Sequence, residues 1–154
     1  MAINPDLAGR VYPPAEVYDV AREKIREFAR AVKAGHPAHY EVDAARALGH
    51  ADLVAPPTFA IIVAQRADAQ LIADPESGID FSRVVHAEQR FTHHRPIVAG
   101  DRLTAELHVD TVRAMGGGAM ITTRAEIRAL GSGDAEGESV ATTVSSILVR
   151  GEGQ

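Results

Sequence analysis

One apolar stretch, Val54–Asp74, constrains the fold of this chain more than any other segment. It opens with the pair Pro56-Pro57, and Thr58 follows as the predicted N-cap of a helix. Residues 59–64 are apolar without a polar break, and a helix that is apolar on every side is buried on every side. Polar residues appear from Gln65 onward. The pattern therefore predicts a helix whose first half lies in the core and whose second half reaches the surface.

The composition is that of one soluble globular domain. The chain has 154 residues, of which 45% are hydrophobic and 24% are charged, enough for one packed core. The net charge of −5 gives no electrostatic reason to expect nucleic acid as a partner, and no apolar run is long enough to span a membrane. Cysteine is absent, which excludes a disulfide framework and a thiolate metal site. Without a signal peptide at its start, we expect a single cytoplasmic domain over residues 1–154 with a frayed tail at 151–154.

Helical periodicity precedes the apolar stretch. Apolar residues recur at helical spacing over 20–34, with Asp19 as the predicted N-cap and Gly35 as the stop. A loop and then a short helix over Asp43–Leu48 follow, and Gly49 is placed to end that helix. The N-terminal half of the chain is therefore predicted to be mainly helical.

The periodicity changes from helical to alternating in the second half. Apolar and polar residues alternate most clearly over 102–113, which is typical of a half-buried strand. Gly116-Gly117-Gly118 predicts a hairpin turn into the next strand, and a Gly-rich acidic loop is predicted at 131–138. The four predicted strands cover residues 84–95, 102–113, 119–129 and 139–150.

This order of elements predicts an α+β domain with an antiparallel meander. Strands of about ten residues are long. A long twisted sheet beside one very apolar helix suggests a sheet curled around that helix, which is the hot-dog fold. The last strand is apolar on both faces, so we expect a second subunit to cover its outer face or its edge.

Four blocks of the sequence resemble a known family. The segments 35–41 (GHPAHYE), 44–50 (AARALGH), 54–59 (VAPPTF) and 95–103 (RPIVAGDRL) resemble the MaoC-like, (R)-specific hydratase and dehydratase family. The resemblance extends from about residue 20 to residue 150, and it is most similar to the HadA-type subunit of the heterodimeric (3R)-hydroxyacyl-ACP dehydratase. It implies a hot-dog domain that acts on acyl-CoA or acyl-ACP thioesters.

The family's hydratase motif, Asp-x-Asn-Pro-x-His, falls on residues 34–39 of this chain. Moving water across the double bond of an unsaturated thioester needs a group that activates water and transfers a proton, a role that suits histidine. The resemblance assigns that role to His39. The motif's Asp falls on Ala34, so His39 lacks its usual partner.

Three interpretations of His39 stay open. In the first, His39 works alone or with Glu41 or Asp43 as a substitute for the missing Asp. In the second, the chain lines the acyl channel, and a MaoC-like partner in a heterodimer carries the intact Asp/His pair. In the third, His39 is a polar loop residue and the domain, as a homodimer or otherwise, handles thioesters in another way. A metal site at His36 and His39 has no third ligand nearby, so neither a metal nor another cofactor is predicted.

The start of the apolar helix is the other candidate site. Free N–H groups and the helix dipole at an N-terminus stabilise the negative charge that develops on a thioester carbonyl oxygen. Catalytic relatives often have Gly at the position of Pro57, which has no N–H. The residues that the resemblance assigns to substrate binding are Ala34, Ala55, Pro57, Thr58, Phe59 and Ile62.

Two other functional classes compete with the hydratase interpretation. A hot-dog thioesterase needs a carboxylate on or near the central helix to activate water, and Asp68 is its only candidate. A non-catalytic acyl-binding subunit is the other class. The basic cluster His93, His94 and Arg95 is interpreted as surface, with the phosphates of CoA as an alternative ligand.

Overall fold

A computed structural model describes residues 3–131 and 137–153 of the protein. Most of the predicted acidic loop, at 132–136, and the last residue of the predicted frayed tail lie outside the described residues. The helices are α1 (Arg22–Ala31), α2 (Val42–Ala47) and α3 (Ala60–Ala73). The strands are β1 (Tyr18–Asp19), β2 (Val84–His93), β3 (Arg102–Met115), β4 (Gly118–Ala129) and β5 (Glu138–Val149). Among the described helices, none is long and apolar enough to cross a membrane.

The strands form one five-stranded antiparallel sheet in the order β1-β3-β4-β5-β2. This arrangement confirms the α+β class, and the predicted meander holds for β3, β4 and β5 but not for β2, which pairs with β5 and not with β3. The free edge of β3 is taken by the N-terminal segment, where the N–H groups of Tyr12 and Ala15 donate to the carbonyls of Leu107 and Ala105. The second strand in sequence therefore closes the opposite edge of the sheet.

The sheet curls around α3, which confirms the predicted hot-dog fold. The buried side of α3 consists mainly of small residues, with Ala60, Ala64 and Ala67 at 0 to 2% exposure. Small side chains let the helix lie close to β3, β4 and β5, with which it makes its contacts. Larger residues such as Leu103 and Ile121 fill the core from the sheet side.

One prediction about α3 is wrong, because its first half is not buried on every side. Ile61 and Ile62 stay partly exposed, although Ala60 and Val63 beside them are buried. The sheet covers one side of α3 and leaves a stripe of the helix open. The helix also begins later than predicted: Thr58 lies in a turn, and Phe59 holds the N-cap position without a side-chain hydrogen bond.

The ends of the first two helices differ from the prediction in detail. Asp19 does not cap α1, because it belongs to β1 and pairs with β3. The left-handed position after α1 is Lys33, with a φ of 59°, and not Gly35. Helix α2 starts after Glu41 without a side-chain cap. Gly49, with a φ of 92°, follows α2 as predicted.

Strands β3 and β4 confirm the predicted alternation, with one interruption. The register shifts between Val109 and Thr111, which marks a β-bulge. Thr111 is therefore exposed, contrary to the predicted pattern, and Val112 packs against the core in its place. The predicted turn joins the two strands, with positive φ at Gly116 and Gly117.

Strand β2 forms an open edge of the sheet. In the part of the chain that the structure describes, its one strand neighbour is β5. Because β5 lies between β4 and β2, both of its edges are paired within the chain, so a second subunit does not cover its edge, and coverage of its outer face stays a prediction. The unpaired backbone groups that invite a partner strand lie on β2 instead.

Candidate functional site

His39 ends a short 3-10 helix, Pro37–His39, that is tied to the segment before α3. Its Nδ1 lies 2.7 Å from the carbonyl oxygen of Val54. A carbonyl only accepts hydrogen bonds, so Nδ1 carries the proton. The unprotonated Nε2 is then the ring nitrogen that can exchange a proton with a ligand. In return, the N–H of Val54 donates to the carbonyl of Ala38 at 3.2 Å. The loop and the approach to α3 hold each other in place.

No carboxylate forms a hydrogen bond with His39 in the described part of the chain. Ala34, where the resembled motif has Asp, is a partly exposed methyl group, and its carbonyl accepts a 2.6 Å hydrogen bond from the Tyr40 hydroxyl. Glu41 and Asp43 are exposed, and within the described residues neither forms a hydrogen bond or an ion pair with the ring of His39. No hydrogen bond within the described residues therefore supports Glu41 or Asp43 as a substitute for the missing Asp.

The two histidines of this loop serve separate backbone hydrogen bonds. Nδ1 of His36 accepts from the N–H of Ala38 at 3.1 Å, and its ring centroid lies 6.3 Å from that of His39. Nδ1 of His36 accepts and Nδ1 of His39 donates, so the two rings are opposite tautomers: Nε2 carries the proton in His36 and is unprotonated in His39. Over residues 3–131 and 137–153 no group of three His, Cys, Asp or Glu side chains could hold a metal ion.

Phe59 anchors the approach to α3 in the core. Its side chain is fully buried, and its ring meets those of Tyr18 and Phe28 edge-on, with centroids 6.4 and 5.4 Å away. Ala55 is also buried, and its N–H donates to the carbonyl of Ile97 at 2.8 Å. Both residues were predicted to bind substrate. In the structure they are buried and stabilise the segment that leads into α3.

Two N–H donors at the start of the helix, those of Thr58 and Ala60, have no backbone acceptor among the described residues. The N–H of Phe59 donates to the carbonyl of Pro56, and the N–H of Ile61 to that of Thr58, while Pro57 has no N–H. Thr58 is exposed, and its N–H has no backbone acceptor among the described residues. The donors left for the predicted oxyanion site at the helix start are therefore the N–H groups of Thr58 and Ala60.

A cavity of about 660 Å³ runs along the open side of α3. Ile61, Gln65, Asp68 and Ile72 line it from the helix. They recur at positions i, i+4, i+7 and i+11, so they form one stripe about 16 Å long. The other walls are formed by Phe81, by Val84, His86 and Gln89 of β2, by Thr123 of β4, and by Ser145 and Ile147 of β5. We call this cavity the Asp68 groove.

Asp68 is the ionisable group on the helix wall of the Asp68 groove. Burial raises the pKa of its carboxyl to about 6, against smaller lowering effects from the Thr123 hydroxyl and from His86. Its one hydrogen bond within the described residues comes from the Thr123 hydroxyl at 3.5 Å, which is long. The carboxyl is therefore left with capacity to bind another group.

Gln89 brings an unpaired donor to the same cavity. Its Oε1 lies 3.2 Å from Nε2 of His86, whereas its Nε2 is buried and has no hydrogen-bond partner among the residues that the structure describes. Such a group costs about 1–3 kcal/mol when it stays unpaired. Sequence reasoning missed Gln89 and His86. The sequence shows two polar residues on a predicted strand, but the bulge between His86 and Glu88 decides which way their side chains face.

The structure does not bring the predicted site residues and Asp68 into one cavity. His39 and Ala34 lie on the loop after α1, and Pro57 and Thr58 form the exposed turn before α3. Ile62 packs against the core from the open side of the helix. None of these residues lines the Asp68 groove.

Arg95 is not free to bind a phosphate. Its guanidinium donates two hydrogen bonds to the Asp101 carboxylate at 2.9 and 3.0 Å and a third to Glu138 at 3.1 Å. Beside it, the ring of His93 stacks on Phe91 with centroids 6.1 Å apart. Arg95 and His93 of the basic cluster are therefore held by contacts with neighbouring residues at the end of the sheet.

Comparisons with known proteins place this geometry among dehydratases. The profile of the FAS1-like, dehydratase domain region matches residues 6–143. A UPF0336 protein of Leifsonia xyli subsp. xyli is 55% identical over 150 residues, which cover 97% of each chain. A UPF0336 protein of Clavibacter michiganensis subsp. michiganensis is 53% identical over 152 residues, which cover 99% of each chain.

Solved structures with the same fold carry related names. The C-terminally truncated HadBC complex of Mycobacterium tuberculosis, a (3R)-hydroxyacyl-ACP dehydratase, is 35% identical with a TM-score of 0.78, over 93% of this chain and 97% of that one. A MaoC-like dehydratase is 31% identical with a TM-score of 0.82, over 94% of this chain and 42% of the other. A MaoC-like dehydratase of Rhodospirillum rubrum, at 18% identity and a TM-score of 0.70, covers 94% of its own chain and 96% of this one. That last likeness concerns the fold alone.

Proposed function

This chain belongs to the dehydratase family described as the FAS1-like, dehydratase domain region, and on that footing we propose that it is a subunit of a (3R)-hydroxyacyl-thioester dehydratase. In the reverse direction such an enzyme is an (R)-specific enoyl hydratase. The name of the HadBC complex, which is 35% identical, supports this reaction class. The proposed substrate is an acyl-CoA or acyl-ACP thioester. The single-domain organisation and the cytoplasmic location stay predictions from the sequence.

The reaction defines the groups that the site must supply. Dehydration removes a proton from Cα and the hydroxyl from Cβ, and a proton must be given to that hydroxyl so that it leaves as water. Negative charge develops on the thioester oxygen on the way, and hydrogen-bond donors stabilise it. In this chain Nε2 of His39 is of the right type for the proton transfer, and the N–H of Thr58 for the oxygen. Both groups lie on segments that the His39 to Val54 hydrogen bond joins.

The observation that carries the proposal is the missing carboxylate beside His39. A proton-transferring histidine is normally oriented by a third group, and here the ring is oriented by the carbonyl of Val54 while Ala34 offers a methyl group. A homodimer repeats the same deficiency twice. We therefore assign catalysis to a MaoC-like partner subunit with an intact Asp/His pair. The open edge of β2 and the partly exposed Ile61 stripe give that partner a surface to cover.

An assay of crotonyl-CoA hydration tests this assignment. The purified chain is measured alone and together with a MaoC-like partner from the same organism. We expect the pair to be at least about 100-fold faster than the lone chain, because that is the usual contribution of general acid–base catalysis. Equal rates alone and paired would overturn the partner requirement. Activity of the lone chain that is lost in Asp43→Ala would show instead that Asp43 substitutes for the missing carboxylate.

One specific observation favours a second function, that of a thioesterase. Asp68 lies on the central helix with a carboxyl whose pKa is raised to about 6, close to the range in which a general base works well. Such a base takes a proton from water while the water oxygen attacks the thioester carbonyl, and the thiol leaves with a proton. Release of free CoA that disappears in Asp68→Asn, without any hydration, would support this function against the dehydratase. Acyl binding without either reaction would support the non-catalytic subunit.

A further inference from the structure

The Asp68 groove lies beside the open edge of the sheet. Val84, His86 and Gln89 of β2 form one of its walls, and β5 is the one strand neighbour of β2 in the described part of the chain. The ring of Phe81, which also lines the groove, is 66% exposed. In a strand that pairs with β2, every second side chain would face the side of the sheet on which the groove lies. Such a strand would therefore extend the wall of the groove.

The Asp68 carboxyl has no lysine or arginine to pair with in the groove. Its one hydrogen bond within the described residues comes from Thr123 at 3.5 Å, and none of the residues that line the groove is Lys or Arg. Arg66, two residues earlier on α3, lies over the ring of Tyr18, with its guanidinium carbon 4.7 Å from the ring centroid. The groove therefore supplies a negative charge without a permanent counter-charge.

His86 of β2 is the other titratable group that faces Asp68. It lowers the pKa of the Asp68 carboxyl, but this effect is smaller than that of burial, which raises the pKa. Nε2 of His86 lies 3.2 Å from Oε1 of Gln89, and an amide oxygen only accepts, so this nitrogen donates to Gln89. The lining residues from β4 and β5, among them Thr123 and Ser145, carry no charge.

A second copy of this chain is a poor source of that counter-charge. Two copies joined through their β2 edges would bring together groove walls that contain no Lys or Arg. Arg90 of β2 is paired with Glu88 at 2.7 Å. Arg83, just before β2, is paired with Asp80 at 3.4 Å. Each copy would then cover its own carboxylate without a permanent cation, which is unfavourable. A different chain that carries Lys or Arg at its docking edge has the complementary charge.

We propose that the partner subunit docks on the edge of β2 and completes the Asp68 groove with a lysine or arginine side chain, and that this ion pair selects the partner over a second copy of this chain. The inference rests on the proposed function, because that function requires a partner subunit. Ile61 and Ile72 flank Asp68 on the helix wall. Between these apolar side chains an ion pair is screened by water and salt less than it is at the surface.

The charge of Asp68 makes the two kinds of assembly respond to pH in opposite directions. Burial raises the pKa of its carboxyl to about 6 in the free chain, and a cation beside it would lower that pKa. Binding of the partner therefore releases a proton, so it weakens as pH falls through this range. A second copy brings no permanent cation, so self-association strengthens when the carboxyl becomes neutral.

Sedimentation equilibrium of the purified chain, alone and with the MaoC-like subunit of the hydration assay, tests the proposal. At neutral pH we expect Asp68→Asn to bind the partner at least about tenfold more weakly than the wild type, because removing one charge of a buried pair is costly. The same change should make the chain self-associate about threefold more tightly or better, because no unpaired carboxylate is then covered. At about pH 5, where the Asp68 carboxyl is mostly protonated, both differences should shrink. Glu27→Gln, which removes a charge from the exposed face of α1, is the matched control and should change neither dissociation constant.

The outcomes separate this proposal from the proposed function. If Asp68→Asn binds the partner as tightly as the wild type does, the ion pair is wrong and the partner requirement is left intact. Self-association that is equal in both chains, or absent from both, would overturn the selection against a second copy. If the wild type does not bind the partner at either pH, the partner requirement and the ion pair are both wrong. Thermal unfolding shows whether Asp68→Asn is folded, and the pH series on the wild type tests the same pair without a substitution.

Discussion

The His39 loop and the Asp68 groove differ in how completely this chain satisfies their polar groups. In the loop, the side chains of His36, His39 and Tyr40 each have a backbone partner at 2.6 to 3.1 Å. In the groove, over the described residues, Gln89 has a buried nitrogen without a hydrogen-bond partner and Asp68 has a single hydrogen bond of 3.5 Å. The polar side chains of the loop are thus paired with the chain's own backbone, whereas Asp68 in the groove keeps hydrogen-bonding capacity.

This difference distinguishes polar side chains that stabilise the fold from polar side chains that are available to a ligand. Buried polar groups are nearly always paired in folded proteins, so an unpaired one calls for a reason. The family motif directs attention to His39, but its contacts are those of a residue that fixes a loop. The groove has no motif, yet it holds the group with the most strongly raised carboxyl pKa in the described structure, that of Asp68.

The largest effect on stability is expected from removing the ring of Phe59, which anchors the segment before α3. Phe59→Ala should lower the free energy of unfolding by about 3–5 kcal/mol, because the ring is fully buried between two other rings. Urea denaturation measures this value. Phe81→Ala at the Asp68 groove is the matched control, since Phe81 is 66% exposed, and it should stay within about 0.5 kcal/mol of the wild type. Similar losses in both variants would remove the contrast between a packed side and an open side.

The next effect concerns pH and the Asp68 groove. The folded-state pKa of Asp68 is raised from 3.8 to about 6, so between these values the folded chain binds more protons than the unfolded one. The contribution of Asp68 to stability therefore falls as pH rises from about 4 to about 6. Relative to Asp68→Asn, the wild type should lose at most about 3 kcal/mol over this interval, and less where water enters the groove.

Urea denaturation of both proteins at a series of pH values checks this slope. Asp80→Asn is the control, because hydrogen bonds from Ser82 lower the pKa of the exposed Asp80. Its contribution is present above its unfolded pKa and is lost as pH falls, so the difference between wild type and Asp80→Asn changes in the opposite direction. A wild-type minus Asp68→Asn difference that does not vary with pH would show that the groove leaves Asp68 fully hydrated.

A smaller effect is expected at His39. His39→Ala removes the 2.7 Å hydrogen bond to the carbonyl of Val54 and should cost about 1–2 kcal/mol of unfolding free energy. His50→Ala is a suitable control, since the His50 ring makes no hydrogen bond within the described residues. If both variants unfold at the same denaturant concentration as the wild type, the loop is not held by His39.

The smallest effect is expected from Tyr40→Phe. This change removes the 2.6 Å hydrogen bond to the carbonyl of Ala34 but keeps the ring, so we expect a loss of about 1 kcal/mol. Amide hydrogen exchange over residues 34–40 is the sensitive measurement, because the hydroxyl joins the two ends of that loop. Exchange as slow as in the wild type would show that the remaining backbone contacts are sufficient.

The fold was predictable wherever its signal is local. The alternation of β3 and β4 and the apolar run of α3 are periodic patterns that neighbouring residues carry. The place of β2 was not predictable in this way, because it depends on the N-terminal segment taking the edge of β3, and no residue of β2 reports that. Likewise, the partial exposure of Ile61 depends on how far the sheet wraps the helix.

The residues of the candidate site likewise fall into those that the sequence predicted and those that it did not. The resemblance led to His39 and to Ala34, and the search for a helix carboxylate led to Asp68. Gln89 and His86 were missed because the bulge beside Glu88 decides which side chains of β2 face inward. Thr58 was predicted as a cap, and the structure gives it a turn with an available N–H instead.

In the function we propose, this chain supplies acyl binding while a partner subunit supplies proton transfer. The most direct test is the rate of crotonyl-CoA hydration by the assembled pair, measured with His39→Ala in this chain and, separately, with the catalytic histidine of the partner replaced by alanine. We expect a rate within about twofold of the wild type for the first variant and a loss of about 100-fold or more for the second. A loss of that size for His39→Ala, with little change when the partner's histidine is replaced, would contradict it.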